Sequence, residues 1–452
     1  MRTDRRVPGI AYLVAVTFFM ETLDGTILVT AAPQIAADLG VASADVNVTM
    51  SAYLIAVACA IPLGGWLAAR LGSRAVYCTS IAVFTLASLL CALSGDLTAL
   101  TIGRIVQGIA GGMMVPVGRL VVLRGTERRD LVRAIAIITW PALVAPVLAP
   151  VVGGFITTIA TWQWIFLINL PIGVTVFIVA LVTVRDRTTE RRALDWPGLV
   201  LVTVAVLGLM VAMELAAGSV PLVTVAAAGV ALLAGTAAVW WLLRSRHPLL
   251  DLRVFRLPTF RVTNSGGFVY RAVVNAVPFV LPLLLQDAFG WTPLESGIAV
   301  ASLFFGNLAI KSVTTPLLRR LGFRPVLLIG VIGTIGCLLL FALLSPGSPA
   351  ALVATLGFAS GVFRSIGFTA YNTIQFADVD RDELGAANTL SATLAQLAAG
   401  LGIAAAATIL RLADVAADPY RVTFVVLAML CVTALIGALR LPRDAARHIS
   451  AG

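Results

Sequence analysis

The sequence predicts an all-α polytopic membrane protein, and three observations carry that prediction. Of its 452 residues, 60% are hydrophobic and only 12% are charged, with a mean hydropathy of +1.00. A chain of that make-up has too little polar surface for a water-facing globule, so the bilayer is its solvent. Apolar stretches long enough to cross about 30 Å of hydrocarbon recur along the whole chain and leave little room for a soluble domain. The basic residues also sort onto alternate loops, as they do in membrane proteins of fixed orientation.

Taken in order, the apolar stretches place spans near residues 10-32, 48-69, 75-94, 98-121, 132-157, 163-184, 197-217, 221-243, 262-286, 296-317, 325-344, 350-375, 386-410 and 422-440. Each must be a helix, because backbone N–H and C=O groups find no water in hydrocarbon and a helix satisfies them internally. Fourteen spans put both termini on one side. Nearly all basic residues outside the spans fall on that side, and only Arg411 and Arg421 fall on the other. The positive-inside rule therefore makes both termini cytoplasmic. Asp38, Asp45, Asp96, Asp287, Glu295, Asp414 and Asp418 lie on the outer loops, so the net charge of +10 is a topology signal and implies no nucleic-acid partner. Arg2, Arg5 and Arg6 precede a long apolar run without an obvious small-residue cleavage site, which reads as a first span rather than a signal peptide. Cys59, Cys78, Cys91, Cys337 and Cys431 stand singly in apolar runs and read as small hydrophobes, not metal ligands.

An internal repeat shows where two spans re-enter the cytoplasm. Arg70-Leu71-Gly72-Ser73-Arg74 resembles Arg320-Leu321-Gly322-Phe323-Arg324. Residues 1-184 and 262-452 are thus expected to be duplicated six-helix bundles, with 185-261 an inserted pair of spans between Arg-rich loops.

The candidate functional residues are the polar ones at membrane depth. Asp24 lies about fourteen residues into its span, roughly 21 Å along the axis, where a charge costs at least about 2.5–3.5 kcal/mol. Glu21 is one turn away. Two neighbouring carboxylates favour a shared proton, which suits a group that exchanges a proton against substrate; the same acids would equally serve a structural pairing with arginine. Arg104, Gly108, Gly112 and Pro116 share one helix face, a smooth strip for close approach of another helix. Pro141, Pro146 and Pro150 loosen the fifth span, and Ala142, Ala145, Ala149 and Gly153 form its small-residue stripe. Arg271 and Arg364 lie deep in spans without an acid nearby in sequence, which points to a wet cavity. Asn275, Asn307, Tyr371 and Asn372 are expected to line it with them, or equally to hydrogen-bond between helices.

Four segments resemble the major facilitator superfamily, and specifically its fourteen-helix drug:proton antiporter branch. They are Leu23-Asp24-Gly25-Thr26-Ile27 through Pro33; Gly65 to Arg74; Arg104-Ile105-Val106-Gln107-Gly108 with Gly111 and Gly112; and Pro146, Pro150, Gly153 and Gly154. Trp164 to Gly173 matches a further segment typical of the branch. The resemblance implies a major facilitator fold, proton coupling through Asp24, Glu21 and Arg104, and gating or helix motion at Gly65, Arg70, Gly72, Arg74, Pro146, Pro150, Gly153 and Gly154. It departs from the family at Ala69, where an acid normally helps to lock the inner gate, so either the outward-facing state is held less firmly or Arg70 and Arg74 pair elsewhere.

The function expected is proton-coupled export of small molecules, drugs or toxic amphipathic compounds, by a multi-pass protein of a bacterial cytoplasmic membrane. An anionic metabolite such as a carboxylate or metal chelate is the alternative cargo. No catalytic residue, metal site or cofactor is expected; the proton gradient supplies the energy, and the partners are substrate, protons and lipid, with a monomer as the working unit. No phosphate-binding loop, nucleophile–base pair or repeated pore filter points to a membrane enzyme or channel.

Overall fold

The computed structural model describes residues 9–125, 131–184, 194–216, 221–246, 248–376, 378–379, 383–413 and 418–441. Its helices are α1 (Gly9–Leu39), α2 (Asn47–Leu71), α3 (Ser73–Ala92), α4 (Leu97–Gly125), α5 (Leu131–Ile159), α6 (Trp164–Leu167), α7 (Asn169–Thr183), α8 (Trp196–Leu215) and α9 (Pro221–Arg244). They continue with α10 (Pro258–Leu283), α11 (Pro293–Ala309), α12 (Lys311–Leu321), α13 (Phe323–Phe341), α14 (Ala350–Ile374), α15 (Leu384–Leu412) and α16 (Pro419–Leu439). The described residues contain no strand. Among them, 12 helices are long and apolar enough to cross a membrane. The expected fourteen spans are consistent with this, because α5 and the broken pair α11–α12 stand where the other two are expected.

Proline explains the two broken spans. Pro171 has no N–H to offer the Leu167 carbonyl and its ring crowds that oxygen, so the helix divides at Ile168 into α6 and α7. Pro316 likewise has no N–H for the Ser312 carbonyl, which lies two residues past the Ile310 break between α11 and α12.

Helices α1 to α7 pack as one group and α10 to α16 as another, with the same pairing scheme in each. The contacts α1·α5, α2·α4, α3·α4 and α3·α7 recur as α10·α15, α11·α14, α13·α14 and α13·α16. The repeated loops correspond too: Gly72 and Gly322 end their helices at φ 86° and 78°, a region only glycine enters freely, and a new helix begins at the next residue in both. Close backbone approach is duplicated likewise. A Cβ on Gly108 of α4 would collide with the Tyr53 carbonyl of α2, and one on Gly361 of α14 with the Leu303 carbonyl of α11. Helices α8 and α9 form a hairpin beside α2 and α15. Asp195 ties its base, accepting from Gly198 N at 3.0 Å, Trp241 Nε1 at 2.7 Å and Leu249 N at 2.9 Å.

The two groups meet toward the end of the bundle opposite the N-terminus, here the far end. Glycines again allow it: Gly154 of α5 faces the Pro293 carbonyl, Gly297 of α11 faces the Pro150 carbonyl, and Gly400 of α15 faces the Ser51 carbonyl of α2. Gln286 donates to the Thr30 carbonyl at 3.2 Å, and Arg411 pairs with Asp45 at 3.2 Å across the same seam. Of the cysteines, Cys78, Cys91, Cys337 and Cys431 are buried and Cys59 is half-buried, all as free thiols.

Gly108→Val forces α4 away from α2 and is expected to destabilise the protein by at least about 1–3 kcal/mol, lowering the unfolding temperature in detergent. Gly65→Ala, where a Cβ meets nothing within 4 Å, does not lower that temperature, since alanine favours a helix interior over glycine. Equal thermal stability of the two variants contradicts the α2–α4 packing.

Candidate functional site

Asp24 sits on the buried face of α1, 1% exposed, against α4, which carries Arg104, 0% exposed. Arg104 Nη1 donates to Asp24 Oδ2 at 2.5 Å. Two neutral amides complete the carboxylate's shell: Gln107 Nε2 at 2.9 Å and Asn169 Nδ2 at 2.7 Å both donate to Asp24 Oδ1. Gln107 lies one turn from Arg104 on α4 and accepts from its Nη1 at 2.6 Å. Asn169 arrives because of the break at Ile168, which starts α7 at this depth. Ser88 of α3 holds both amides, accepting from Gln107 at 2.8 Å and Asn169 at 3.3 Å. A buried charge in so apolar a setting survives only when paired and hydrogen-bonded, and here Asp24 is both.

Glu21 belongs to the same cluster through Tyr53 of α2. The Tyr53 hydroxyl donates to Glu21 Oε1 at 3.3 Å, while the Arg104 guanidinium lies 4.0 Å from the Tyr53 ring centroid, a cation–π contact. Tyr53 thus stands between the half-buried Glu21 and the buried ion pair. Gly111 of α4 leaves the room: a Cβ there would press on Glu21 Cγ and the Tyr53 hydroxyl. The three residues singled out for proton coupling are therefore brought together, in a network that also includes Gln107, Asn169, Ser88 and Tyr53. Gln107 and Asn169 lie inside motif segments, but a neutral amide in a span serves helix–helix bonding equally well, and only the fold shows which group it meets.

A cavity of about 130 Å³ lies beside this cluster, between the two halves. Its wall includes Gly25, Thr26 and Leu54 from one half and Asn275, Phe304 and Arg364 from the other. Arg364 Nη1 donates to the Val274 carbonyl at 2.7 Å and Nη2 to Asn275 Oδ1 at 2.9 Å. Of the six residues expected to line a cavity, Asn275 and Arg364 do so. Arg271 is buried beside it, donating to Asn372 Oδ1 at 2.9 Å, Asn264 Oδ1 at 3.4 Å and Gln375 Oε1 at 3.5 Å. Tyr371 is buried against the Tyr270 ring, Asn372 is exposed, and Asn307 is half-buried on α11; none of these lines the cavity wall.

The residues expected to gate lie in two places. At the first loop of the repeat, Gly72 makes the turn, Gly65 is exposed, Arg70 stacks on Trp66 at 5.5 Å, and Arg74 donates to the Leu181 carbonyl of α7 at 2.6 Å. Beside Ala69, where the family has an acid, the partners of Arg70 and Arg74 are thus a ring and a backbone carbonyl. In α5, Gly153 faces the Ile27 carbonyl of α1 while Gly154 faces α11, so adjacent glycines contact opposite halves, and the Pro150 carbonyl meets Gly297. Pro146 lies one turn earlier in the same helix.

Comparison with known proteins matches this architecture. A family model described as Major Facilitator Superfamily matches residues 14–203 and 263–451. The chain is 33% identical over 404 residues, 89% of its length and 86% of the relative's, to "Putative multidrug resistance protein MdtD" of Escherichia coli (strain SMS-3-5 / SECEC). Among solved structures it resembles the POT family transporter PepTSo, with a TM-score of 0.73 at 12% identity over 96% of this chain and 98% of that one. It also resembles a bacterial homolog of the human lysosomal transporter Spinster, with a TM-score of 0.66 at 14% identity over 98% of each chain.

Arg104→Met leaves the Asp24 carboxylate without its counter-charge and is expected to cost about 3–5 kcal/mol. Adding Asp24→Leu removes the stranded charge and recovers most of that loss. Thermal unfolding of the single and double variants in the same detergent measures the difference; no recovery in the double variant means that the pair is not energetically coupled.

Proposed function

The chain belongs to the Major Facilitator Superfamily, and from that premise we propose that it is a proton-coupled exporter of small amphipathic molecules working by alternating access. The observation that carries the reading is the buried Asp24–Arg104 pair, joined through Tyr53 to Glu21 and set against the cavity between the halves. A carboxylate at this depth exchanges protons only if its ion pair loosens, and because the pair spans α1 and α4, loosening it means a shift of these two helices against each other within the N-terminal bundle. Protonation of Asp24 removes the attraction that holds Arg104, and the amides of Gln107 and Asn169 then bind the neutral acid. Proton binding and helix position are coupled in this way. Glu21, half-buried and one turn away, is the relay between the pair and the cavity side.

The seam between the halves supports the alternating-access part of the reading. The sorting of basic residues puts the N-terminus in the cytoplasm, so the far end faces outward and the Gly154, Gly297 and Gly400 contacts with the Arg411–Asp45 bridge form the closed outer gate. Residues 1–184 and 262–452 act as the two moving bundles, α8 and α9 as an inserted pair, and one chain as the working unit. Small-residue contacts separate without exposing large unpaired surfaces, which suits a seam that opens in each cycle. The name borne by the Escherichia coli relative supports drug-like cargo.

Transport into everted membrane vesicles, with lumenal pH followed by a trapped dye, tests the proposal. Adding a transported lipophilic compound to energised vesicles is expected to release lumenal protons. Asp24→Asn, still recovered in the membrane fraction, is expected to abolish that release; release at the wild-type rate in this variant removes Asp24 from coupling and the proposal with it.

A further inference from the structure

Resting on the exporter reading above, we propose that the C-terminal wall of the central cavity is an anion subsite anchored by Arg364, and that its cargo is an amphipathic monocarboxylate. Arg364 is the one charged side chain among the described residues of that wall. Its guanidinium lies 5.6 Å from the Phe304 ring centroid and 5.2 Å from that of Phe368. The two rings, the Val274 carbonyl and Asn275 Oδ1 hold the fork in place, and every one of these partners is neutral. Much of the guanidinium edge therefore remains for a ligand, and a planar fork fixed in orientation matches a carboxylate with two parallel hydrogen bonds.

The surrounding charge makes the match stronger. Helices α10, α11, α14 and α15 contain a single acid, Glu295, in the far-end first turn of α11. Arg271 adds a second cation, also held only by neutral acceptors, and it connects to the first through Asn275, whose Nδ2 donates to the Arg271 carbonyl at 2.8 Å. Two guanidiniums at membrane depth without a carboxylate give this wall a positive field in a medium that screens poorly. An anionic ligand supplies the missing counter-charge.

The repeat shows that this is a difference between the halves and not a general feature of the bundle. The shift of 250 residues that takes Gly72 to Gly322 and Tyr53 to Leu303 takes Glu21 to Arg271, and the shift of 253 that takes Gly108 to Gly361 takes Gly111 to Arg364. Where one half holds an acid and the space for it, the other holds two cations. Proton chemistry and cargo anchoring are thus divided between the halves. The remainder of the wall is mostly apolar, including Val29, Leu54, Phe279 and Ile403, and its other polar side chains, Thr26 and Gln396, are neutral, so one carboxylate carried on an aromatic or aliphatic body fits better than a polyanion.

Binding of 1-naphthoate, its neutral alcohol 1-naphthalenemethanol and the cation tetraphenylphosphonium to the purified protein, by titration calorimetry, tests this. Naphthoate is expected to bind more tightly than the alcohol. Arg364→Gln is expected to weaken naphthoate by about ten- to a hundred-fold without weakening the alcohol, and Arg364→Lys to restore part of the loss, having the charge without the fork. Size-exclusion profiles and unfolding temperatures check that both variants are folded. Unchanged naphthoate affinity in Arg364→Gln overturns the proposal, as does wild-type protein that binds only the cation. Transport in the same preparation separates the two readings. If tetraphenylphosphonium exchanges with protons and naphthoate neither binds nor moves, the anion subsite falls and the exporter stands. If naphthoate binds through Arg364 without proton exchange, the subsite stands and the coupling falls.

Discussion

A carboxylate and a guanidinium held together at mid-membrane set the terms for the N-terminal half. Removing either ion from water costs several kcal/mol, and hydrocarbon returns nothing, so neighbouring helices must supply the lost solvation. Asp24 obtains it from α4 and α7, through Arg104, Gln107 and Asn169. Ser88 of α3 anchors the two amides, and Tyr53 of α2 covers the guanidinium. Five helices are committed to one pair of charges. The arrangement of that half follows from the need to bring these groups within hydrogen-bonding distance of each other.

Glycine makes the convergence possible. Gly108 and Gly112 let α4 lie against the backbone of α2, and Gly111 opens the space that Glu21 and the Tyr53 hydroxyl occupy. In the C-terminal half the pairing of helices is the same, and Gly361 meets Leu303 as Gly108 meets Tyr53. The polar content is not the same. No acid answers Arg271 or Arg364 within the described residues, and their amide and carbonyl partners disperse charge without cancelling it. A duplicated scaffold with unlike charges in its halves gives the intervening cavity two chemically different walls.

Much of this was legible in the chain. Asp24, Glu21 and Arg104 stand out because ionisable residues at membrane depth are rare and costly, and the turn at Gly72 and Gly322 is visible as a repeat. Gln107, Asn169 and Tyr53 gave no such signal: a neutral amide or an aromatic ring is common in spans, and its partner lies on another helix. The cavity shows the same limit. Arg271 and Arg364 are alike in sequence, yet Arg364 reaches the cavity wall, and Arg271 is packed beside it among amides. Tyr371, Asn372 and Asn307 have the polarity of lining residues and lie elsewhere, because rotation of each helix about its axis is decided by its neighbours.

By itself the sequence determined that the chain is helical and membrane-embedded, and which few charges lie deep in its apolar segments. These follow from solvation alone: hydrocarbon forces backbone hydrogen bonds inside each segment, and the cost of a buried ion is a property of that residue and its depth. Only the tertiary structure decided that Asn169 meets Asp24, that Gly153 and Gly154 face different halves, and that Arg364 opens onto the cavity. Helical periodicity fixes which side chains share a face. It carries no information about which face meets which, since that depends on how closely the backbones of segments a hundred residues apart can approach.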